Sequence, residues 1–348
     1  MSKRYSFKND YSEGAHNEIL RLIDSTNYEQ LDGYGLDYYS EKARELIKQE
    51  LDNEKVDIHF VSGGTQANLV VLGSILRAHH SIVAAETAHI NVHEAGAIEL
   101  TGHKINTIQT NDGKITPKQI QKVLDFHPSD EHMVKPRLVF ISNSTELGTI
   151  YTKEQIEELS AYCKEKNLLL YMDGARLGAA LMAKGQTLSM KDLAKFLDIF
   201  YVGGTKNGAL LGEAIVIVND NLKEDFRYFL KQRGALLAKA RVLGLQFLGL
   251  FRDGLYYKLA KQANEAAQAL SIGIQKLGYK MFVDSPTNQI FPILPNVLIN
   301  KLLEKFDFYI WEQINKKESV IRLVTSWATP QKCINNFIST LENLTKSY

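Results

Sequence analysis

The sequence predicts an α/β fold with a mostly parallel central sheet sandwiched by helices, followed by a smaller C-terminal α/β domain. Three observations carry this. Short apolar runs alternate with helical patterns from about residue 55 to 218. The runs are four to six residues of β-branched or aromatic character, the length of buried strands rather than helices. After Val218 the pattern changes to a long helical stretch and a second, shorter set of strand candidates.

In chain order, residues 1–50 read as an arm with one or two helices, broken by a turn at Gly33-Tyr34-Gly35. Residues 51–240 read as the large domain. Its strand candidates are DIHFVS (57–62), SIVAAE (81–86), KINTIQ (104–109), RLVFIS (137–142), LLLYMD (168–173), DIFYVG (198–203) and EAIVIV (213–218). Two intervening helices announce their starts. Thr116-Pro117-Lys118-Gln119 supplies a hydroxyl cap, a proline at the first helical position and a reciprocal glutamine, and Thr152-Lys153-Glu154-Gln155 repeats the box. Residues 241–348 read as a linking helix and the small domain. A continuous helical pattern is predicted over roughly 235–277, a strand over 279–283 and a helix near 296–305. Strands follow near 307–311 and 319–325, and a last helix is capped at Thr329-Pro330.

Composition limits the function. Of 348 residues, 45% are apolar and 23% charged, enough to bury a core and too apolar for disorder. Forty-one basic against forty acidic residues leave a net charge of +1, so no long-range field recruits nucleic acid or an anionic membrane. Two cysteines, Cys163 and Cys333, are too few for a disulfide framework and lack metal-site spacing. The start, MSKRYSFKND, has no apolar segment behind its positive charge, and no apolar run approaches the ~20 residues of a membrane span. A cytoplasmic protein is expected.

In a parallel sheet, ligands gather beyond the carboxyl ends of the strands. After HFVS comes Gly63-Gly64-Thr65 opening an apolar helix, a pattern able to cradle a phosphate on free backbone N–H groups; an ordinary strand-to-helix turn is the plainer reading. No GxxxxGK[ST] and no GxGxxG occurs, which argues against nucleotide-triphosphate and dinucleotide motifs. LLLYMD ends in Asp173, where a desolvated carboxylate needs a cationic partner, either Arg176 or a protonated ring nitrogen on a cofactor. DIFYVG leads into Gly203-Gly204-Thr205-Lys206-Asn207-Gly208, where a lysine crowded between two buried strands suits Schiff-base chemistry better than a solvated surface role. His89 and His93 stand four apart beside Glu94, but HExxH is absent and no third ligand stands out, so no metal is expected. A flat imidazole stacked on a flat cofactor ring is the functional reading, and a core or capping histidine the plain one.

Taken together, SGGTQANL (62–69), AHINVHEAGA (88–97), SNSTELG (142–148), MDGARLGAAL (172–181), GGTKNGALLGEA (203–214) and IRLVTSWAT (321–329) resemble the threonine aldolase and β-eliminating lyase family of pyridoxal-phosphate (PLP) enzymes, of the aspartate-aminotransferase fold type I. The resemblance implies a PLP-transferase-like large domain and a role for each motif. Lys206 would carry PLP as a Schiff base, Asp173 would hold the pyridinium nitrogen protonated, and His89 would stack on the ring. Gly63, Gly64 and Thr65 would bind the phosphate, and Arg176 and Arg322 the substrate α-carboxylate. Active sites would lie at the subunit interface of a homodimer or homotetramer, with Tyr34, Arg233 or Lys239 reaching the neighbouring subunit. The implied reaction is cleavage of L-threonine, L-allo-threonine or a related β-hydroxy-α-amino acid to glycine and an aldehyde.

The alternatives are a β-eliminating lyase or aminotransferase acting on a small amino acid, or a non-catalytic PLP-binding protein. Against the last stand five intact positions, Lys206, Asp173, His89, Arg176 and Arg322. One departure matters. Where many threonine aldolases place a second histidine near the substrate hydroxyl, this sequence has Thr145, followed by Glu146. A threonine hydroxyl is a poor base near neutrality, which leaves His89, His93, Glu146 or a water to take the proton.

Overall fold

The computed structural model describes residues 4–128 and 130–347; residues 1–3 of the expected arm, with 129 and 348, lie outside the described residues. The arm carries β1 (Tyr5–Ser6), then α1 (Asn17–Ser25) and α2 (Tyr38–Leu51). Tyr34 and Gly35, both at positive φ, make the turn expected between those helices. The alternating region follows as β2 (Asp57–Val61), α3 (Gly64–Ile75), β3 (His80–Ala85), α4 (His89–Val92), β4 (Lys104–Ile108) and α5 (Pro117–Phe126). It continues as β5 (Lys135–Ser142), α6 (Lys153–Glu165), β6 (Leu169–Asp173), α7 (Leu177–Leu181), α8 (Met190–Phe196), β7 (Ile199–Gly203) and β8 (Glu213–Ile217). Both expected capping boxes form, at Thr116 with Gln119 and at Thr152 with Gln155.

These strands build a seven-stranded sheet in the order β2-β8-β7-β6-β5-β3-β4. All neighbours are parallel except that β8 runs antiparallel to both β2 and β7. Alternate residues feed two apolar layers, one on each face. Val139 and Ile141 of β5 join one, whereas Leu138 and Phe140 join the other. Each such side chain contributes roughly 1.5–3 kcal/mol of burial, so a sheet covered twice reads as unbroken apolar runs.

After α9 (Phe226–Gln232), the predicted helix over 235–277 is two helices, α10 (Arg241–Phe251) and α11 (Leu255–Lys276). Arg252-Asp253-Gly254 parts them, with Gly254 at φ 65°, a backbone state that an Asp-Gly pair favours and a helix interior excludes. The predicted strand over 279–283 is only an isolated bridge between Met281 and Pro292, because proline has no N–H to extend a ladder. The pairing shifts to β9 (Gln289–Ile290) and β10 (Ile293–Pro295), which the sequence reading did not anticipate.

Then come α12 (Asn296–Leu303), β11 (Phe306–Asp307), β12 (Tyr309–Gln313), β13 (Glu318–Val324) and α13 (Gln331–Lys346). The expected cap of the last helix is corrected: Thr329 Oγ1 accepts the Ser326 N–H and closes a turn, and extended Pro330 precedes the first helical residue. β13 is the centre of the second sheet, pairing with β9, β10 and β12. Its core gathers Leu270 and Ile274 of α11, Phe337 and Leu341 of α13, and Phe7 of the arm. The arm is stitched to this sheet by the backbone bond from Val324 N to Phe7 O, and Phe7 N bonds Asp307 O of β11, which pairs with β1 in a separate two-stranded sheet.

Candidate active site

One edge of the large sheet collects the chemistry. β2, β3, β5, β6 and β7 end there, and the antiparallel β8 begins there. A cavity of about 260 Å³ opens on this edge. It is walled by Ser62, Gly63, Gly64 and Thr65 beyond β2, by His89, by Ser142, Ser144 and Glu146 beyond β5, and by Asp173 and Arg176 beyond β6. Lys206 from the β7–β8 loop, Glu213 from the start of β8 and Tyr11 from the arm close it. A second cavity of about 580 Å³ reaches outward, sharing Tyr11, His89, Glu146, Arg176 and Lys206, and adding His93, Gln289, Trp311 and Arg322.

α3 starts directly behind β2 with Gly63 as a cap that makes no side-chain hydrogen bond. The first N–H groups of this twelve-residue helix therefore face the cavity with the positive end of its dipole, a seat for an anion. Space there is limited: a Cβ on Gly64 would lie 2.9 Å from Tyr201 Oη.

Asp173, 4% exposed, closes β6. Its Oδ1 accepts from Tyr201 Oη and from the Ala175 N–H at 3.0 Å, and its Oδ2 accepts from Asn68 Nδ2 at 3.2 Å. Arg176 does not pair with it, so the structural-pair alternative is set aside. What remains is a carboxylate anchored by three donors and lining the cavity, suited to a cationic group on a ligand.

Lys206 sits in the loop after β7, where Gly204 and Thr205 both donate to Gly212 O. Burial, and then the nearby Arg176 charge, push its pKa below the ordinary lysine value, which enriches the neutral amine needed for attack on a carbonyl. Glu213 faces it from the start of β8, accepting the Gly204 N–H at 2.9 Å. Burial pushes this carboxyl up to about 7, with the Lys206 charge opposing the shift.

His89 begins α4 and is fixed through its Nδ1, 2.8 Å from Glu94 Oε1. Glu94 is also bound by Asn68 Nδ2 at 2.8 Å, and Tyr171 Oη donates to Asn68 Oδ1 at 2.7 Å. A buried polar chain thus links the imidazole to Asp173 through Asn68. His93 packs against His89 with ring centroids 5.6 Å apart, and burial and then His89 lower its pKa.

The two arginines differ. Arg176 spends its fork on Asp10 of the arm, Nε to Oδ2 at 2.7 Å and Nη2 to Oδ1 at 3.0 Å, and Asn288 Nδ2 adds a bond to Oδ2 at 2.9 Å. Arg322, from β13, lies 5.8 Å from the Tyr309 ring and 5.5 Å from the Trp311 ring. Its Nη2 donates to Lys8 O at 3.2 Å, and its buried Nε has no hydrogen-bond partner among the described residues. Arg322 is therefore the cation with spare donors.

Gly63, Gly64, Thr65, His89, Asp173, Arg176 and Lys206 thus line the inner cavity, and Arg322 the outer one. Tyr34 lines neither; it is 43% exposed, beneath Lys231, whose Nζ is 4.8 Å from its ring centroid. Arg233 and Lys239 also lie away from both cavities. Thr145 is turned aside, its Oγ1 2.8 Å from Thr149 Oγ1, and Glu146 occupies the wall instead. Sequence reasoning missed Asp10, Asn68 and Tyr201 as site residues, named Glu94 only as a neighbour of the histidines, and overlooked Glu213. Only Glu213 had a legible signal, a lone acid opening an apolar strand.

A profile of the beta-eliminating lyase family matches residues 29–295, well over half of the chain. This chain belongs to that family. Among its relatives are the low specificity L-threonine aldolases of a Pseudomonas species and of Pseudomonas aeruginosa. The first is 34% identical over 82% of this chain and 83% of that protein, the second 33% identical over 86% and 84%. A solved structure of Leishmania major threonine aldolase superposes with a TM-score of 0.96 at 44% identity, covering 98% of this chain and 99% of that one. The family's wider fold is visible in a Thermus thermophilus aspartate aminotransferase, with a TM-score of 0.74 at 12% identity over 98% and 91% of the two chains.

Proposed function

We propose that this protein is a PLP-dependent aldolase that cleaves L-threonine, L-allo-threonine or a related β-hydroxy-α-amino acid to glycine and an aldehyde. The observation that carries the reading is the placement of Lys206 and Asp173 at the tips of neighbouring strands β7 and β6, across one cavity from the open start of α3. These residues suit PLP group by group. The helix start would take the phosphate, Asp173 would pair with the ring nitrogen, and Lys206, its pKa lowered by burial, would hold the aldehyde carbon. His89, locked by Glu94, would cover the ring. When bound, PLP supplies the electron sink for breaking the bond at Cα.

The chain's own residues do the rest. Arg322 holds the substrate carboxylate through its free donors, and Arg176, braced by Asp10, adds positive charge beside it. Holding that carboxylate fixes which bond at Cα faces the cofactor, and so which bond breaks. Relatives named as threonine aldolases at 33–34% identity over more than four-fifths of this chain support the choice of substrate class. We further propose a cytoplasmic homodimer or homotetramer in which Tyr34, Arg233 or Lys239 completes the site of a neighbouring subunit. The division into an arm (1–50), a large domain (51–240) and a small domain (241–348) belongs to the same proposal. Among the described residues no helix is long and apolar enough to cross a membrane.

The test uses purified protein with PLP. It should be yellow, and borohydride should fix the cofactor on Lys206, read by peptide mass; a colourless protein inert to added PLP removes the cofactor assignment. Incubation with threonine, allo-threonine and serine then decides the reaction. Acetaldehyde plus glycine is expected, whereas pyruvate from serine without acetaldehyde would make it an eliminating enzyme.

A further inference from the structure

The inner and outer cavities meet at a wall formed by Tyr11, His89, Glu146, Arg176 and Lys206. A substrate joined to the cofactor near Lys206, with its carboxylate at Arg322, lies across this wall. We propose that Glu146 is the catalytic residue that takes the proton from the substrate's β-hydroxyl group. This rests on the aldolase reading above.

The wall offers few proton acceptors. Lys206, released once the substrate takes its place on the cofactor, would serve the proton at Cα. His89 spends Nδ1 on Glu94 and would lay its ring face on the cofactor, so Nε2 is its one open nitrogen, and an undiminished Glu146→Gln rate would point to it. Tyr11 offers a phenol, a hydrogen-bond donor and a poor general base. Arg176 is a permanent cation. His93 borders only the outer cavity, and Thr145 is bonded to Thr149 away from both. Glu146 remains.

Its geometry suits the task. Oε1 accepts the His89 backbone N–H at 3.0 Å and the Ser142 hydroxyl at 2.8 Å. Both fixed bonds fall on one oxygen, so the carboxylate is oriented and Oε2 is available to a bound hydroxyl. Burial, with Asp173 as the lesser cause, holds the carboxyl above the ordinary glutamate value, which strengthens it as a base. It also neighbours the Arg176 charge.

In the step, the β-hydroxyl O–H bond breaks and its proton goes to Oε2. The oxygen's electron pair forms the aldehyde C=O as the Cα–Cβ bond breaks, and PLP, when bound, would supply the sink for the pair from that bond. Cα later gains one proton as glycine forms, so the reaction consumes and releases none overall.

The experiment compares wild type, Glu146→Gln and Glu146→Asp as PLP-loaded proteins. Cleavage of threonine and allo-threonine is measured beside two readouts that involve no β-hydroxyl. These are glycine binding, followed by the cofactor's absorbance, and exchange of glycine α-protons in D₂O, followed by NMR. Glu146→Gln should lose about 10²-fold or more in cleavage, the scale of a lost general base, with glycine binding and exchange within about threefold of wild type. Cleavage by the Gln variant near the wild-type rate overturns the proposal. An equal loss of glycine exchange also overturns it, because Glu146 would then only shape the His89 segment. Should the Gln variant not fold, Glu146→Asp carries the test: slower cleavage with glycine exchange retained is expected, and wild-type cleavage overturns. A wild-type protein that cleaves no β-hydroxy amino acid fails the aldolase reading itself, whereas a wild type that cleaves equally with its Gln variant fails only this proposal.

Discussion

Asp10 of the arm and Arg176 behind β6 form a buried two-pronged ion pair, 166 residues apart in sequence, with Nε–Oδ2 at 2.7 Å and Nη2–Oδ1 at 3.0 Å. Burial alone would raise the Asp10 pKa, but the charges of Arg176 and then Lys206 hold it below the ordinary aspartate value. The stability this gives is present above an unfolded pKa of about 4 and is lost as pH falls through the lower folded value.

Asp10→Ala leaves Arg176 buried without its partner and should cost about 3–5 kcal/mol. Thermal melts should show a large drop at neutral pH. They should also show a shallower fall below about pH 4 than wild type shows, because the group that titrates there is gone. An unchanged melting temperature would mean the pair holds nothing together.

Arg322→Lys should raise KM for amino-acid substrates by about tenfold or more while leaving kcat within a few-fold. Lysine keeps the charge but loses the forked donors and the flat face that meets Tyr309 and Trp311. Steady-state kinetics separate the two constants, and a loss confined to kcat would place Arg322 nearer the reacting bond.

Glu213 carries a carboxyl raised to about 7, against roughly 4.3 when unfolded. A raised folded pKa means stability that is full below the unfolded value and lost as pH rises through the folded one. Wild type should therefore lose stability from about pH 4 to 7 through this group, and Glu213→Gln should flatten that slope. Denaturant titrations across the range read the effect, and parallel slopes in the two proteins would refute it.

Thr145→Ala removes a hydroxyl that is 2.8 Å from Thr149 Oγ1 and borders neither cavity. Cleavage should slow by no more than about threefold, with a stability cost of about 1 kcal/mol. A loss matching that of Lys206→Ala would make Thr145 part of the chemistry.

The parallel strands were readable because a strand buried on both faces must be apolar throughout, and the polar residue that ends it then stands out. Asp173 after LLLYM and Lys206 after DIFYVGGT were found in that way. Glu213 escaped the same rule. Nothing in EAIVIV reveals that this strand runs backwards, so its first residue, not its last, lies at the ligand edge. Asp10 escaped because its partner is set by the arm's path across two sheets, which no local pattern encodes. In the small sheet the failures were local: a proline at 292 reduced a strand to one bridge, and Asp253-Gly254 cut a helix that periodicity alone would continue. The Thr145–Glu146 pair lay between these cases. Its chemistry was visible, but which side chain faces inward depends on the turn that bonds Thr145 N to Thr149 O.

The arm's position also sets an order of assembly. β1 pairs with β11, and Phe7 accepts from Val324, so the earliest residues of the described chain rest on some of the last. During synthesis the large sheet can close around its own core while the arm is still without these partners. Asp10 can reach Arg176 earlier, but Asn288 and the Lys8–Arg322 contact come only after about three hundred residues exist. Contacts this distant in sequence are slow to form. The pocket on the nascent chain therefore stays unfinished on its outer side until β13 has been made, and the outer cation Arg322 arrives with that strand, well after the lysine.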